Sequence, residues 1–384
     1  MKTVLVYTDS HDRCGVGNCN AALVEGLHNA GYRVVYAKRQ EVSPLQQRLK
    51  NLGVEFCWLD YSPDVDPNRF ANDRAMPSRI FSEIKPDLVF FGKGQPSILF
   101  GGIEAARALS IPYIIWEGSV SKQLLPDTSQ PDFIQALRLQ YEHAEAVICL
   151  SQENLDVLCE TLHLAPEIGT IVPAPADARF FTPVNPETRN RIRQAWGIPD
   201  DGIVCFTSAQ LEAIKGHGVQ VYAMHLLKSR PEWERLYFVW AGEGSQRQRI
   251  TKALEKVGVT NKVKLLGQVW NVDELMDAAD IFILTSVSEG MGRVFPEAMA
   301  KGLPIIATKV GGIPEAVGEH AILLSPPTDV AATASQLADA IAAWVQDEEG
   351  RKKFGEAGRM HRSMQFFEPR IVEQYLEIVD RAIR

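Results

Sequence analysis

The sequence of 384 residues predicts an α/β protein made of two doubly wound parallel-sheet domains. Three observations lead to this. Short Val/Ile/Leu-rich runs alternate with helix-length amphipathic segments along the chain, the pattern of parallel strands covered by helices on both faces. The runs fall into two series, each about right for one sheet. Between them lies "APADARFFTPVNPETRN", where prolines and a shift in composition mark a linker. At ~150 residues per domain, the length allows about two domains, and 46% apolar with 23% charged residues is enough for a large core in each.

Taken in order, the first series of strands is "TVLVYT", "RVVYAK", "VEFCWL", "DLVFFG", "PYIIW", "AVICLS" and "GTIVPA". The second is "IVCFTS", "LYFVWAG", "VKLLGQV", "DIFILTS", "PIIAT" and "AILLS". The expected organisation is a Rossmann-like domain over 1–178 and another over 179–366, facing a cleft. The closing segment "EPRIVEQYLEIVDRAIR" comes too late for the second alternation, so a helix over 367–384 is expected to return to the first domain. No repeat of solenoid length and no low-complexity stretch is apparent.

Charge and composition exclude several classes. Residues 1–178 carry a net charge of −7 and residues 179–384 a net charge of −1, so neither half suits nucleic acid or tight docking on anionic lipid. No stretch reaches the ~18 apolar residues of a membrane span. The start "MKTVLVYTDSHD" reads as a strand, because its apolar run is short and meets acids at once. Six cysteines without C-x-x-C spacing point to reduced thiols and a cytoplasmic protein, and Cys14 with Cys19 is too isolated for zinc. No metal and no cofactor are expected. Asp64-x-Asp66 in "SPDVDP" has a spacing that elsewhere holds a metal, but it follows a strand of the wrong half among prolines and reads as a loop.

The chemistry concentrates after "DIFILTS", in "SVSEGMGRVFPEAMAKGLPIIATKVGGIPEAV". In an open parallel sheet, ligands sit outside the carboxyl ends of the strands. Gly290 and Gly292 let backbone N–H groups approach a ligand, and Pro296 and Gly302 frame a short helix whose positive end suits an anion. Glu289 in the turn is placed to reach sugar hydroxyls, and Glu297 in the first helical turn to accept from a ribose diol. The plainer alternative makes Glu297 a complement to the helix dipole and Glu289 a solvated turn residue. Upstream, "IVCFTSAQLEAIKGHG" places Gln210 and Lys215 beyond another strand, where an ammonium would neutralise a leaving diphosphate; a surface lysine is the bland reading. "YTDSHDRCGVGNCNAAL" offers Gly15-x-Gly17 after the first strand, a weak signal for diphosphate approach across the cleft.

Together these residues resemble the retaining nucleotide-sugar glycosyltransferases of family 4, which have the GT-B fold. The similarity runs over essentially the whole chain, and its most specific element is Glu-x7-Glu, matched by Glu289 and Glu297. The resemblance implies that Glu289 contacts the donor hexose, Glu297 the ribose and Lys215 the diphosphate. It implies that the backbone of Gly290, Met291, Gly292, Arg293 and Val294 lines the site and that the stretch around Val269 meets the nucleobase. The expected activity is metal-independent transfer of a hexose-like sugar from a nucleoside diphosphate, with retention, to an unidentified acceptor that is a sugar, lipid or small molecule.

Three positions depart from the family pattern. Gln210 stands where the family has Arg. Glu117 of "IIWEGS" stands where it has His, a candidate for acceptor or donor hydroxyls and equally a cap for the following loop. Ala174-Pro175-Ala176-Asp177 replaces a common Asn-Gly-Val-Asp. Arg293, where the family more often has an apolar residue, is the candidate to replace the charge missing at Gln210. Two other readings stand beside the transferase: a nucleotide-sugar 2-epimerase or hydrolase of the same architecture, and a catalytically weak nucleotide-sugar-binding protein.

Overall fold

The computed structural model describes residues 1–60, 72–125 and 130–384, so Asp64 and Asp66 lie outside the described residues. The chain divides into two compact units, one of Met1–Pro175 with Glu368–Arg384, the other of Ala176–Phe367.

The first unit is a sheet of seven strands: β1 (Thr3–Tyr7), β2 (Arg33–Lys38), β3 (Glu55–Trp58), β4 (Leu88–Lys93), β5 (Tyr113–Glu117), β6 (Ala146–Cys149) and β7 (Gly169–Ile171). Their order is β3-β2-β1-β4-β5-β6-β7, with every pairing parallel. Strands β1 and β4 are buried throughout, as apolar runs must be when helices cover both faces. Leu5, Tyr7, Phe81, Phe91, Ile103 and Ile115 belong to the core on one of these faces.

The helix Glu368–Ala382 belongs to this unit. It buries Ile371, Tyr375, Ile378 and Val379, the i, i+4, i+7, i+8 stripe of an amphipathic helix. Its Tyr375 hydroxyl accepts from Trp116 Nε1 in β5 at 3.0 Å, which ties the end of the chain to the sheet's middle.

The second unit has six strands: β8 (Ile203–Ser208), β9 (Leu236–Ala241), β10 (Val263–Gly267), β11 (Ile281–Leu284), β12 (Ile305–Thr308) and β13 (Ala321–Leu324). The order is β10-β9-β8-β11-β12-β13, again all parallel. Among the described residues, all thirteen strands overlap the apolar runs expected from sequence. Each sheet reverses its winding once, between β1 and β4 in the first and between β8 and β11 in the second. At such a reversal two neighbouring loops depart to opposite faces and leave a crevice at the carboxyl edge.

Candidate active site

At the crevice between β8 and β11, the loop after β8 runs through a 3-10 turn, Ala213–Lys215, into helix His217–Leu227. The loop after β11 runs from Thr285 into helix Val294–Ala300. Three bonds join the two loops. Val287 N–H donates to the Ile214 carbonyl at 2.8 Å, the Thr285 hydroxyl donates to the Gly216 carbonyl at 2.9 Å, and Lys215 Nζ lies 2.6 Å from Glu289 Oε2. Ser286 adds a longer hydroxyl contact to the same Glu289 oxygen at 3.2 Å.

The close approach of these backbones explains two glycines. Gly216 has φ +67°, and a Cβ there would fall 1.8 Å from the Thr285 carbonyl oxygen. Gly311, in the loop after β12 with φ +53°, would place a Cβ 1.8 Å from the carbonyl oxygen of Glu289 itself. Only glycine allows this packing without a shift. The Thr308 hydroxyl donates to the Ser286 carbonyl at 2.6 Å and Gly312 N–H to the Gly290 carbonyl at 2.9 Å. Glu289 is therefore held by loops from β8, β11 and β12, its side chain 13% exposed and that of Lys215 20% exposed. Both can meet a solute without leaving water altogether.

Glu297 lies in the next helical turn, buried, with Arg293 Nε 3.3 Å from its Oε1. Burial raises its carboxyl above the ordinary carboxylate range, while the charges of Arg293 and Arg179 pull it back. Arg293 is thus engaged with Glu297. Met291 is buried; Gly292, at φ +77°, and Val294 are half-buried beside it. Gln210 is exposed, and its loop is pinned to the β9 edge by Ala209 N–H to Ala241 and Leu211 N–H to Glu243. Val269 follows β10, whose end is joined to the same edge by Gly242 N–H to the Gly267 carbonyl at 2.8 Å. The glycine turn that holds Gly311, in "TKVGGIPEAV", is visible in the sequence as a further strand-to-helix turn; Thr285, Ser286 and Thr308 were not singled out, and hydroxyl residues at strand ends were the available signal.

The first unit holds the remaining candidates. Gly15 opens helix Gly15–Asn29 in open space, whereas Gly17 packs against its own loop, where a Cβ would lie 2.1 Å from the His11 carbonyl. Glu117 is the last residue of β5 and is wholly buried, so it does not reach the following loop. Its carboxylate lies 3.1 Å from Lys93 Nζ and accepts from the Tyr141 hydroxyl at 2.6 Å. Burial raises the Glu117 carboxyl and lowers the Lys93 ammonium, and their mutual attraction opposes both. Among the described residues, no group of three or more His, Cys, Asp or Glu side chains is placed to hold a metal ion, and no helix is long and apolar enough to cross a membrane.

Comparison with known proteins identifies the family. Residues 14–180 match the model "Glycosyltransferase Family 4" and residues 188–361 the model "Glycosyl transferases group 1". A mannosylfructose-phosphate synthase of Agrobacterium fabrum is 31% identical over 359 residues, covering 83% of this chain and 78% of that protein. A GDP-mannose-dependent monoacylated alpha-(1-6)-phosphatidylinositol monomannoside mannosyltransferase of Corynebacterium glutamicum is 28% identical, covering 74% of each. Among solved structures, HepE of Anabaena in complex with UDP-glucose superposes with a TM-score of 0.83 at 20% identity, over 99% of this chain and all of that one. The last likeness speaks to the fold, which is GT-B. With sequence relationship and fold in agreement, the chain belongs to the family 4 glycosyltransferases and is an enzyme of glycosyl transfer.

Proposed function

We propose that the protein transfers a hexose-like sugar from a nucleoside diphosphate donor to an acceptor hydroxyl, with retention of anomeric configuration and without a metal ion. The observation that carries this reading is the Lys215–Glu289 pair at 2.6 Å on the β8 and β11 loops, at the edge where an open parallel sheet takes its ligand. Lys215 supplies the charge that a departing diphosphate needs, and the N-terminal end of helix Val294–Ala300 adds backbone N–H donors. Glu289 turns to the donor's hexose hydroxyls once a phosphate takes over Lys215, and Glu297 serves the ribose.

In this scheme the bond from the anomeric carbon to the leaving phosphate oxygen breaks as the acceptor oxygen bonds to the same face. The leaving phosphate takes the acceptor's proton, so no carboxylate nucleophile is required, unlike the two flanking carboxylates of retaining hydrolases. The names of the relatives support a nucleotide-activated hexose: one is a GDP-mannose-dependent enzyme, and HepE is solved with UDP-glucose. Six free cysteines support a reducing, cytoplasmic setting for this reaction.

The test is a panel of nucleotide-sugars scored first by thermal stabilisation, since a ligand at 100 times its Kd adds about 2.7 kcal/mol. The best donor is then run with candidate acceptors in a chelator, and the product's anomeric configuration is read by proton NMR. Retention and full rate in chelator are expected. Inversion, strict dependence on Mg²⁺ or Mn²⁺, or donor turnover that needs no acceptor, as a 2-epimerase would give, overturns the proposal.

A further inference from the structure

The second unit contains a pocket of ≈ 270 Å³ that neither Lys215 nor Glu289 lines. Its body is apolar, walled by Val219 on helix His217–Leu227, by Ile250 and Ala253 on helix Arg247–Val257, and by Val330 at the start of helix Val330–Gln346. Its volume exceeds the ~150 Å³ of an apolar cavity that holds benzene.

Two polar groups in this lining have unmet hydrogen-bonding capacity. His217 is 2% exposed, its ring packs edge-on against Trp240 at 4.9 Å, and neither ring nitrogen has a partner. Buried polar atoms are satisfied in the great majority of cases, so an imidazole with both nitrogens unmet calls for a partner, water or ligand, that the chain itself does not supply. Arg249 is exposed and, among the described residues, makes neither hydrogen bond nor ion pair. A neutral imidazole in the interior and a free guanidinium nearer solvent, separated by aliphatic walls, define a ligand with two polar ends and an apolar middle.

We propose that this pocket is a second ligand site, taking a small aromatic carboxylic acid that carries a hydroxyl, with the carboxylate on Arg249 and the hydroxyl on His217. The guanidinium fork matches a carboxylate in a two-bond geometry. The ring fills the space between Val219, Ile250 and Ala253. His217, as a neutral imidazole, accepts from the hydroxyl without adding charge to the interior. The site is independent of the donor reading, because its occupancy is measured with no nucleotide present.

Titration calorimetry of the whole protein with 4-hydroxybenzoate, 3-hydroxybenzoate and 4-hydroxyphenylacetate tests it, with 4-hydroxybenzamide as the neutral control. At least one acid is expected to bind, and the neutral control at least tenfold more weakly. Arg249→Ala is expected to weaken the acid roughly tenfold, the scale of losing one charge-assisted pair. Ala253→Trp, on the partly exposed face of its helix, is expected to abolish binding by filling the pocket. Binding of none of the three acids overturns the proposal, as does binding that both variants leave at the parent's affinity.

Discussion

The two sheets share one architecture and use their carboxyl edges in opposite ways. In the first unit, where winding reverses between β1 and β4, two charged pairs at this edge are sealed, although His11 beside them is 58% exposed. Lys93 and Glu117 are 0% exposed, and Lys38 with Asp12 is 1% exposed. In the second unit, at the reversal between β8 and β11, Lys215 and Glu289 are 20% and 13% exposed and rest on loops bonded backbone to backbone. A fully buried pair has exchanged its water for its partner and has little to offer a ligand; removing one member leaves an uncompensated interior charge. A pair at an open rim gives up its partner readily to a phosphate. Topology supplies both crevices, and the side chains decide which one can do chemistry.

The largest expected effect breaks the sealed side. Lys93→Met should destabilise the first unit by about 3–5 kcal/mol, and combining it with Glu117→Leu should recover much of that loss. Denaturant unfolding followed by aromatic fluorescence reads the difference. Parent-like stability of Lys93→Met would remove the contrast between the two edges.

Next in size is a pH effect in the second unit. Burial, with the Lys215 charge adding to it, pushes the His217 imidazole from its usual 6.5 down to about 4. Between those values the unfolded chain binds the proton and the folded one does not. Stability therefore rises with pH across this window, is complete above 6.5 and is lost toward 4, by on the order of 3 kcal/mol. Glu212 and Arg249 are the charged side chains that line the same pocket. His217→Phe should flatten that part of the stability–pH curve; an unchanged slope would contradict the assignment.

The smallest effect sharpens the open side. Arg293 pairs with Glu297 in the structure; the proposal that it exchanges this partner for the diphosphate predicts that Arg293→Leu weakens nucleoside diphosphate about tenfold and nucleoside monophosphate less, and that Gln210→Arg in that background restores part of it. Equal affinities for both nucleotides in parent and variant would remove Arg293 from the diphosphate's surroundings.

The strands were legible because a parallel strand buried on both faces must be apolar along its length: "TVLVYT" and "DIFILTS" can hardly be anything else once helical segments flank them. Glu289 and Glu297 were legible from their spacing about a glycine turn. The partner of Glu289 was not. Lys215 meets Glu289 across 74 residues because β8 and β11 are neighbours in the sheet, and Lys93 meets Glu117 because β4 and β5 are. Adjacency of strands is a property of winding, which local sequence does not encode. Glu117 was read from sequence as facing acceptor or donor hydroxyls or capping the following loop; that its carboxylate turns inward instead depends on Lys93 and on Tyr141 from a helix 24 residues later. His217 gave no signal, since only burial separates it from any histidine at a helix start.

The most direct measurement is single-turnover kinetics of Lys215→Ala with the nucleotide-sugar that best stabilises the parent, alongside its thermal midpoint and its affinity for the matching nucleoside monophosphate. The account predicts transfer slowed roughly 10²-fold or more, because the charge acts mainly on the departing diphosphate, with the midpoint and monophosphate affinity close to the parent's. Transfer at the parent's rate would contradict the placement of the donor at the β8–β11 edge.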